Sequence, residues 1–221
     1  MMKKGLLQLS FVATFYFMLS FTASAQVEMI QDFMGRPIEI KQYVDVKGSP
    51  YLTDDWQAGS VKLDNGKIFE GLQLKYDQIE EELMFLNKAE EAQLFVDPIA
   101  EFTIIGRTFR RGYTPADGAT PKTFYQVLAD GETQLLKRTS KKIYEEVPYG
   151  TATKIKNIIE NETYYLADAE GKLTKIRKDK KAITNALSNK KSELEDYVKA
   201  NRLDLRQEGD MAKLVTYYNS L

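Results

Sequence analysis

Residues 61–76 read VKLDNGKIFEGLQLKY and set the kind of fold that this chain can form. Apolar and polar residues alternate on both sides of Asn65-Gly66, a pair typical of a tight hairpin because both turn positions need a positive φ. A two-residue turn there places Leu63 opposite Ile68. Gly71, inside the second run, marks a candidate bulge. The segment therefore predicts two antiparallel strands.

Similar alternation recurs along the chain up to Ile176. Asp130-Gly131 and residues 168–171 each separate two apolar runs, and they predict two further hairpins. Residues 80–96 fit either a helix or two strands, and we favour strands because the runs on both sides are strand-like. Residues 139–150 are polar and predict a long connection.

Helical spacing replaces the alternation after Ile176. Three short helices are predicted: the first over residues 179–187, the second with a capping box at Ser192 and Glu195, and the third capped by Asp210. The third helix carries an apolar stripe of Met211, Leu214, Val215, Tyr218 and Leu221. Helices this short need tertiary packing to persist.

These patterns predict an α+β fold. We expect an antiparallel, meandering β-sheet or partly closed barrel over residues 26–177, followed by a short helical tail over residues 178–221 that packs on the sheet.

The first 25 residues have the pattern of a signal peptide. Lys3 and Lys4 precede an apolar run over residues 6–21, and residues 23–25 read Ala-Ser-Ala, a small-x-small cleavage site. The run is short for a membrane span, and no second one follows it. We therefore expect cleavage before Gln26, a mature chain with no transmembrane segment, and a location in the periplasm or outside the cell.

The chain contains no histidine and no cysteine. Without them it has no Ser-His-Asp triad, no Cys-His nucleophile and no ordinary zinc, haem or copper site. Disulfides and a cysteine-linked lipid anchor are excluded as well. No phosphate-binding glycine loop is present in the sequence. We therefore expect neither a cofactor nor a metal.

Charge is divided unevenly along the chain. Residues 26–171 carry 17 basic and 25 acidic residues, whereas residues 172–221 carry 12 basic and 7 acidic residues. An acidic body with a basic tail suggests either electrostatic docking of the tail on the body or a tail offered to an anionic surface. Solvated helix faces are the simpler interpretation.

Several short motifs resemble a group of exported proteins of unknown function in Bacteroidota. They are Gly48-Ser49-Pro50-Tyr51-Leu52, Asp55-Trp56, Gly59, the hairpin of residues 61–66, Leu74-x-Tyr76-Asp77 and the final Tyr217-Tyr218-Asn219-Ser220-Leu221. The resemblance implies a Gram-negative envelope location and no particular activity.

The best local candidate for a binding site is Asp54-Asp55-Trp56. Two carboxylates beside the single tryptophan suit a sugar or a calcium ion, while a turn followed by a core tryptophan is the simpler interpretation. With Phe69 and Tyr76, Trp56 is also expected to line an apolar pocket or patch.

Arg107, Arg110 and Arg111 lie among aromatic residues and form the second candidate site. Export and the acidic body argue against a nucleic-acid partner. We expect these arginines to pair with acidic side chains, or to grip an anionic ligand beside the loop of residues 112–121.

The function predicted is that of a non-enzymatic binding or interaction protein of the cell envelope. Its expected partner is an envelope protein, a glycan or an apolar ligand. Two alternatives stay open: a carboxylate-dependent hydrolase acting on envelope glycans, for which no residue pair can be named, and a structural subunit of an envelope assembly with the basic tail as its docking element.

Overall fold

The structure, a computed structural model, describes residues 35–38, 40–41, 43–150 and 153–221. The predicted signal peptide lies outside these residues. The strands are β1 (Gly35–Pro37), β2 (Val46–Lys47), β3 (Gln57–Leu63), β4 (Ile68–Asp77), β5 (Glu82–Leu86), β6 (Ala92–Phe95), β7 (Ile99–Ile104), β8 (Arg107–Arg110), β9 (Tyr125–Ala129), β10 (Gln134–Glu146), β11 (Ile155–Ala167) and β12 (Leu173–Ile176). The helices are α1 (Lys180–Ala186), α2 (Lys191–Ala200) and α3 (Glu208–Tyr218). The predicted combination of a β-rich body and C-terminal helices is confirmed. No helix in the described part of the chain is long and apolar enough to cross a membrane.

All the strands belong to one sheet, in the order β1-β6-β5-β4-β3-β7-β8-β9-β10-β11-β12, with β2 added in parallel beside β11. Every other pairing is antiparallel, so the predicted meander is largely correct. The sheet is not closed, since its end strands β1 and β12 do not pair with each other in the described residues. The predicted partly closed barrel is therefore not supported.

The first hairpin forms as predicted, but its register differs from the prediction. Lys62 pairs with Ile68, so residues 64–66 make a three-residue turn and Leu63 does not face Ile68. Leu63 is buried whereas Ile68 is 54% exposed, and Phe69 enters the core instead. The register shifts near Gly71, which has a φ of +68°, as a bulge requires.

The long connection predicted for residues 139–150 is wrong. Strand β10 continues to Glu146 and pairs with β11 through thirteen successive residue pairs. Polar residues on both faces concealed this strand, because alternation is visible only where one face is buried. The strand interpretation of residues 80–96 is correct, since they form β5 and β6.

Two main apolar clusters hold the sheet in shape. The first joins inward-facing side chains of β3–β8 with Phe124, and the rings of Tyr76 and Phe102 lie 5.1 Å apart in it. The second lies between the helices and one face of β9–β12, where Leu135, Leu194 and Leu214 are fully buried. On the opposite face of these strands, residues 113–119 cover a smaller cluster around Tyr125.

Helix α1 forms within its predicted bounds, whereas α2 and α3 begin differently from the capping predictions. Asp179 caps α1 by accepting a hydrogen bond from the Ala182 backbone N–H at 2.7 Å. Helix α2 starts at Lys191 after a short 3-10 turn and has no side-chain cap, so the predicted capping box is wrong. Helix α3 starts at Glu208, and Asp210 instead accepts from the backbone N–H of Asp204. Met211, Leu214 and Val215 of the predicted stripe are buried, but Leu221 is exposed.

Asn219 fastens the end of α3 to the sheet. Its amide oxygen accepts from the Thr133 backbone N–H at 3.0 Å, and its amide nitrogen donates to the Thr133 carbonyl oxygen at 2.8 Å. The side chain thus supplies both hydrogen bonds that a neighbouring strand would otherwise give. A Cβ at Gly131 would lie 2.2 Å from the Asn219 amide nitrogen, so this turn needs glycine.

Asn219→Ala is expected to lower the free energy of unfolding by about 2 kcal/mol, because it leaves both half-buried backbone groups of Thr133 without a partner. Urea unfolding followed by circular dichroism measures the change. Ser220→Ala is the matched control, since Ser220 only bonds the nearby Tyr217 carbonyl. Equal stability of the two variants would contradict this role for Asn219.

Candidate functional site

The Asp54-Asp55-Trp56 segment forms a turn around a lysine. Lys75 donates to the Asp54 carbonyl oxygen, and its Nζ lies 4.3 Å from the Tyr51 ring centroid and 5.8 Å from that of Trp56. The Asp54 carboxylate accepts a hydrogen bond from Ser49. The ring of Trp56 therefore already carries a cation beside it, which favours the structural interpretation of this segment.

Phe69 and Tyr76, proposed from the sequence as pocket residues, are 2% and 3% exposed. Both belong to the apolar cluster of β3–β8. Burial raises the pKa of the Tyr76 hydroxyl well above its usual range. Both side chains therefore face the core and offer almost no surface beside Trp56.

Each of the three arginines has a different set of neighbours. Arg110 bonds Glu101 at 2.6 Å and grips Asp130 through two bonds of 2.9 and 3.0 Å. The hydrogen bonds that Arg110 donates to Asp130 raise the pKa of Arg110 most, and the bond to Glu101 raises it further. Arg110 in turn lowers the pKa of the Asp130 carboxyl. Arg111 bonds Asp64 at 3.0 Å. Arg107 is exposed at the start of β8.

Arg110 and Arg111 line a cavity of about 440 Å³ beside Gly112. The cavity also presents the acidic residues Glu132, Asp168 and Glu170. Because the two arginines are already paired and the other charges in the wall are negative, the geometry favours internal ion pairing over capture of an anionic ligand.

A second cavity, of about 400 Å³, holds several carboxylates between β1 and β4. Asp77 accepts from the Tyr43 hydroxyl at 2.5 Å and from the backbone N–H groups of Ile79 and Glu80. Burial and the bond to Asp77 raise the pKa of Tyr43. Glu80 pairs with Lys41. The carboxylates of Asp77 and Glu80 are therefore engaged in contacts within the chain. Among the described residues, no three acidic side chains converge as metal ligands do.

The feature most suited to a contact is the distal part of the β10–β11 hairpin. Residues 140–146 pair with residues 155–161, and we call residues 140–150 and 153–161 the arm. Seven residues of strand span about 23 Å. Residues 142–147 are all exposed, although a strand covered on one face would show every second residue buried. Residues 142–147 are therefore exposed on both faces of the strand and on the turn that follows it.

The body contacts the arm through Lys141 near its base and through β2 along its β11 edge. The Lys141 Nζ donates to the carbonyl oxygens of Ser49 and Tyr51, at 3.1 and 2.7 Å. Strand β2 pairs with Lys156 and Asn157 on the β11 edge. On the opposite edge, strand β9 pairs with β10 only as far as Lys137. Within the described ranges, the outer edge of β10 beyond this point pairs with no strand.

Apolar side chains concentrate on the arm. Five of the ten large hydrophobic residues that are exposed in the described part of the chain lie there. They are Ile143 (38% exposed), Tyr144 (51%), Val147 (56%), Tyr149 (107%) and Ile159 (40%). A concentration of this kind typically marks an interaction surface.

Sequence reasoning assigned this region to a connection and so did not identify it as a site. A usable signal was present: Thr139, Ile143 and Tyr144 on one side of Pro148-Tyr149-Gly150 match Ile155, Ile158 and Ile159 on the other. β-Branched and aromatic residues on both sides of a Pro-Gly turn indicate a hairpin even without alternation. A scan against protein families, a search of curated proteins and a search of solved structures each found no match to this chain.

Proposed function

We propose that this protein is an exported, non-enzymatic interaction protein of the bacterial cell envelope, and that the arm is its contact surface. The observation that carries the proposal is the unbroken exposure of residues 142–146 on a paired strand. A strand that buries neither face gains no core stability from its apolar side chains, so Ile143 and Tyr144 are better explained by a partner that covers them.

The unpaired edge of β10 supports the same proposal. Exposed edges offer backbone N–H and C=O groups to any strand that approaches, and proteins usually protect them with prolines, bulges or charges. Here Lys142, Glu145 and Glu146 provide charge, but Ile143 and Tyr144 stand between them. Strand addition at such an edge is a common mode of protein recognition.

The other hypotheses have less support. A small apolar ligand would need Phe69 and Tyr76 at a surface, and both are in the core. A carboxylate-dependent hydrolase would need two acidic groups free to act at a cleft, whereas Asp77 and Glu80 are held by hydrogen bonds and an ion pair. Ion pairs between the basic tail and the body run in both directions, since Lys175 pairs with Asp117 of the body whereas the acidic Glu208 of the tail pairs with Lys137, so they give basic-tail docking no clear support.

Site-specific photo-crosslinking in living cells tests the proposal. A photoreactive phenylalanine analogue at Tyr149, in the turn of the arm, is expected to form light-dependent adducts in the envelope fraction. The matched position is Ile68, which is 54% exposed in the first hairpin and apolar as well. Adducts from Ile68 but none from Tyr149, or recovery of the protein in the cytosol with residues 1–25 attached, would contradict the proposal.

A further inference from the structure

We propose that the partner of the arm is a second copy of this chain, joined by antiparallel pairing of β10 with β10 across a two-fold axis at Tyr144. The inference rests on the proposed function, because it names the partner of the same surface. Two observations carry it: the unpaired edge of β10 beyond Lys137 and the order of charges along that edge.

The charge order is self-complementary about Tyr144. When two identical strands pair antiparallel about a two-fold axis, the residue on the axis faces its own copy, and residues equally far before and after it face each other. Lys142 then faces Glu146 of the partner subunit, and this pair occurs twice. Opposite charges directly across a strand pair are favourable, while like charges there are unfavourable.

The contacts within one chain select this register over its neighbour. An axis at Ile143 would pair Lys141 with Glu145, but Lys141 already donates to Ser49 and Tyr51. Glu145 likewise has Lys154 and Lys156 beside it. Lys142 makes no ion pair with any described residue, and Glu146 accepts one hydrogen bond, from the neutral Asn157 amide at 3.1 Å, so both charges still lack an opposite charge within the described residues.

The same pairing brings together apolar residues on the face of the arm that carries Lys142, Tyr144 and Glu146. Tyr144 meets its own copy, and Ile159, which lies directly across from Lys142 on β11, shares this face. Tyr144 and Ile159 are 51% and 40% exposed in the single chain. The sheet would continue from one copy into the other, so the backbone groups of both edges would gain hydrogen bonds.

Charge exchange tests this inference on the purified mature chain by sedimentation equilibrium. Wild-type protein is expected to dimerise. Lys142→Glu and Glu146→Lys are each expected to raise the dimer dissociation constant at least tenfold, because each places two like-charged pairs across the axis. The double variant K142E/E146K is expected to return to within about threefold of wild type, since it restores both opposite-charge pairs. Circular dichroism confirms that each variant is folded.

Lys88→Glu is the matched control, because Lys88 is exposed in the β5–β6 turn, away from the arm. A double variant as weak as the single variants would overturn the inference, and so would a wild-type chain that stays monomeric at its highest soluble concentration. The crosslinking experiment tests the proposed function separately. If the Tyr149 adducts have a mass other than that of two copies, self-pairing is rejected and the arm remains a contact surface. If Tyr149 forms no adduct, the arm is rejected as a contact surface.

Discussion

A chain ended at Lys178 is expected to form no stable, soluble monomer. Eight buried apolar residues lie beyond this point: Ile183, Leu187, Leu194, Val198, Leu205, Met211, Leu214 and Val215. Burying one such side chain contributes about 1.5–3 kcal/mol, so the eight together contribute about 12–24 kcal/mol, which is an upper bound. That is comparable to the whole stability of a domain, about 5–15 kcal/mol.

The truncation also uncovers the sheet. Leu135, Tyr164 and Leu166 would lose their cover, and an exposed apolar sheet face promotes aggregation. Thermal unfolding followed by circular dichroism, with size-exclusion chromatography, measures the outcome. The control is a chain that ends at Asn219. It keeps the two hydrogen bonds between the Asn219 side chain and the Thr133 backbone and loses only Ser220 and the exposed Leu221. A cooperative melt of the shorter chain near the full-length value would contradict the expectation.

The sequence predicted the parts of the fold that bury one face of a strand or helix. Alternation around Asn65-Gly66 and the stripe of Met211, Leu214 and Val215 correspond to apolar clusters in the structure. The closure of the sheet was not predictable, because it depends on twist and on the bulge near Gly71 rather than on which residues are apolar. Register was missed at Leu63 for a similar reason, since a turn of two or three residues uses the same Asn-Gly pair.

The candidate sites show the limit of reasoning from residue type. Trp56, Phe69 and Tyr76 are the aromatic residues one would assign to a pocket, yet two of them are core residues and the third lies beside Lys75. The charge division of the chain likewise suggested docking by charge, while the helices are held mainly by apolar contacts with β9–β12. The arm was missed because residues 142–147 are exposed, and hydrophobic pattern reports only what one chain buries on itself.

Gly59→Ala is expected to lower the free energy of unfolding by about 3 kcal/mol or more. Gly59 lies in β3, between β4 and β7, and an added Cβ would stand 2.3 Å from the Thr103 backbone oxygen and 2.6 Å from Leu74 Cδ1. The backbone oxygen belongs to the neighbouring strand, so relief requires the strands themselves to separate. Overpacking of this kind costs about 1–3 kcal/mol when only side chains must adjust, and more when the backbone must move.

Gly209→Ala is the matched control, because it makes the same chemical change with the opposite expected sign. Gly209 is exposed in the first turn of α3, and an added Cβ there would have no neighbour within 4 Å. Alanine favours the helix over glycine by up to about 1 kcal/mol. In a domain of this size each kcal/mol shifts the melting temperature by about 2–4 °C. We therefore expect Gly59→Ala to melt at least about 6 °C below wild type and Gly209→Ala at or slightly above it. If the melting temperature of Gly59→Ala equals that of wild type, β3 does not approach β7 as closely as the 2.3 Å contact requires.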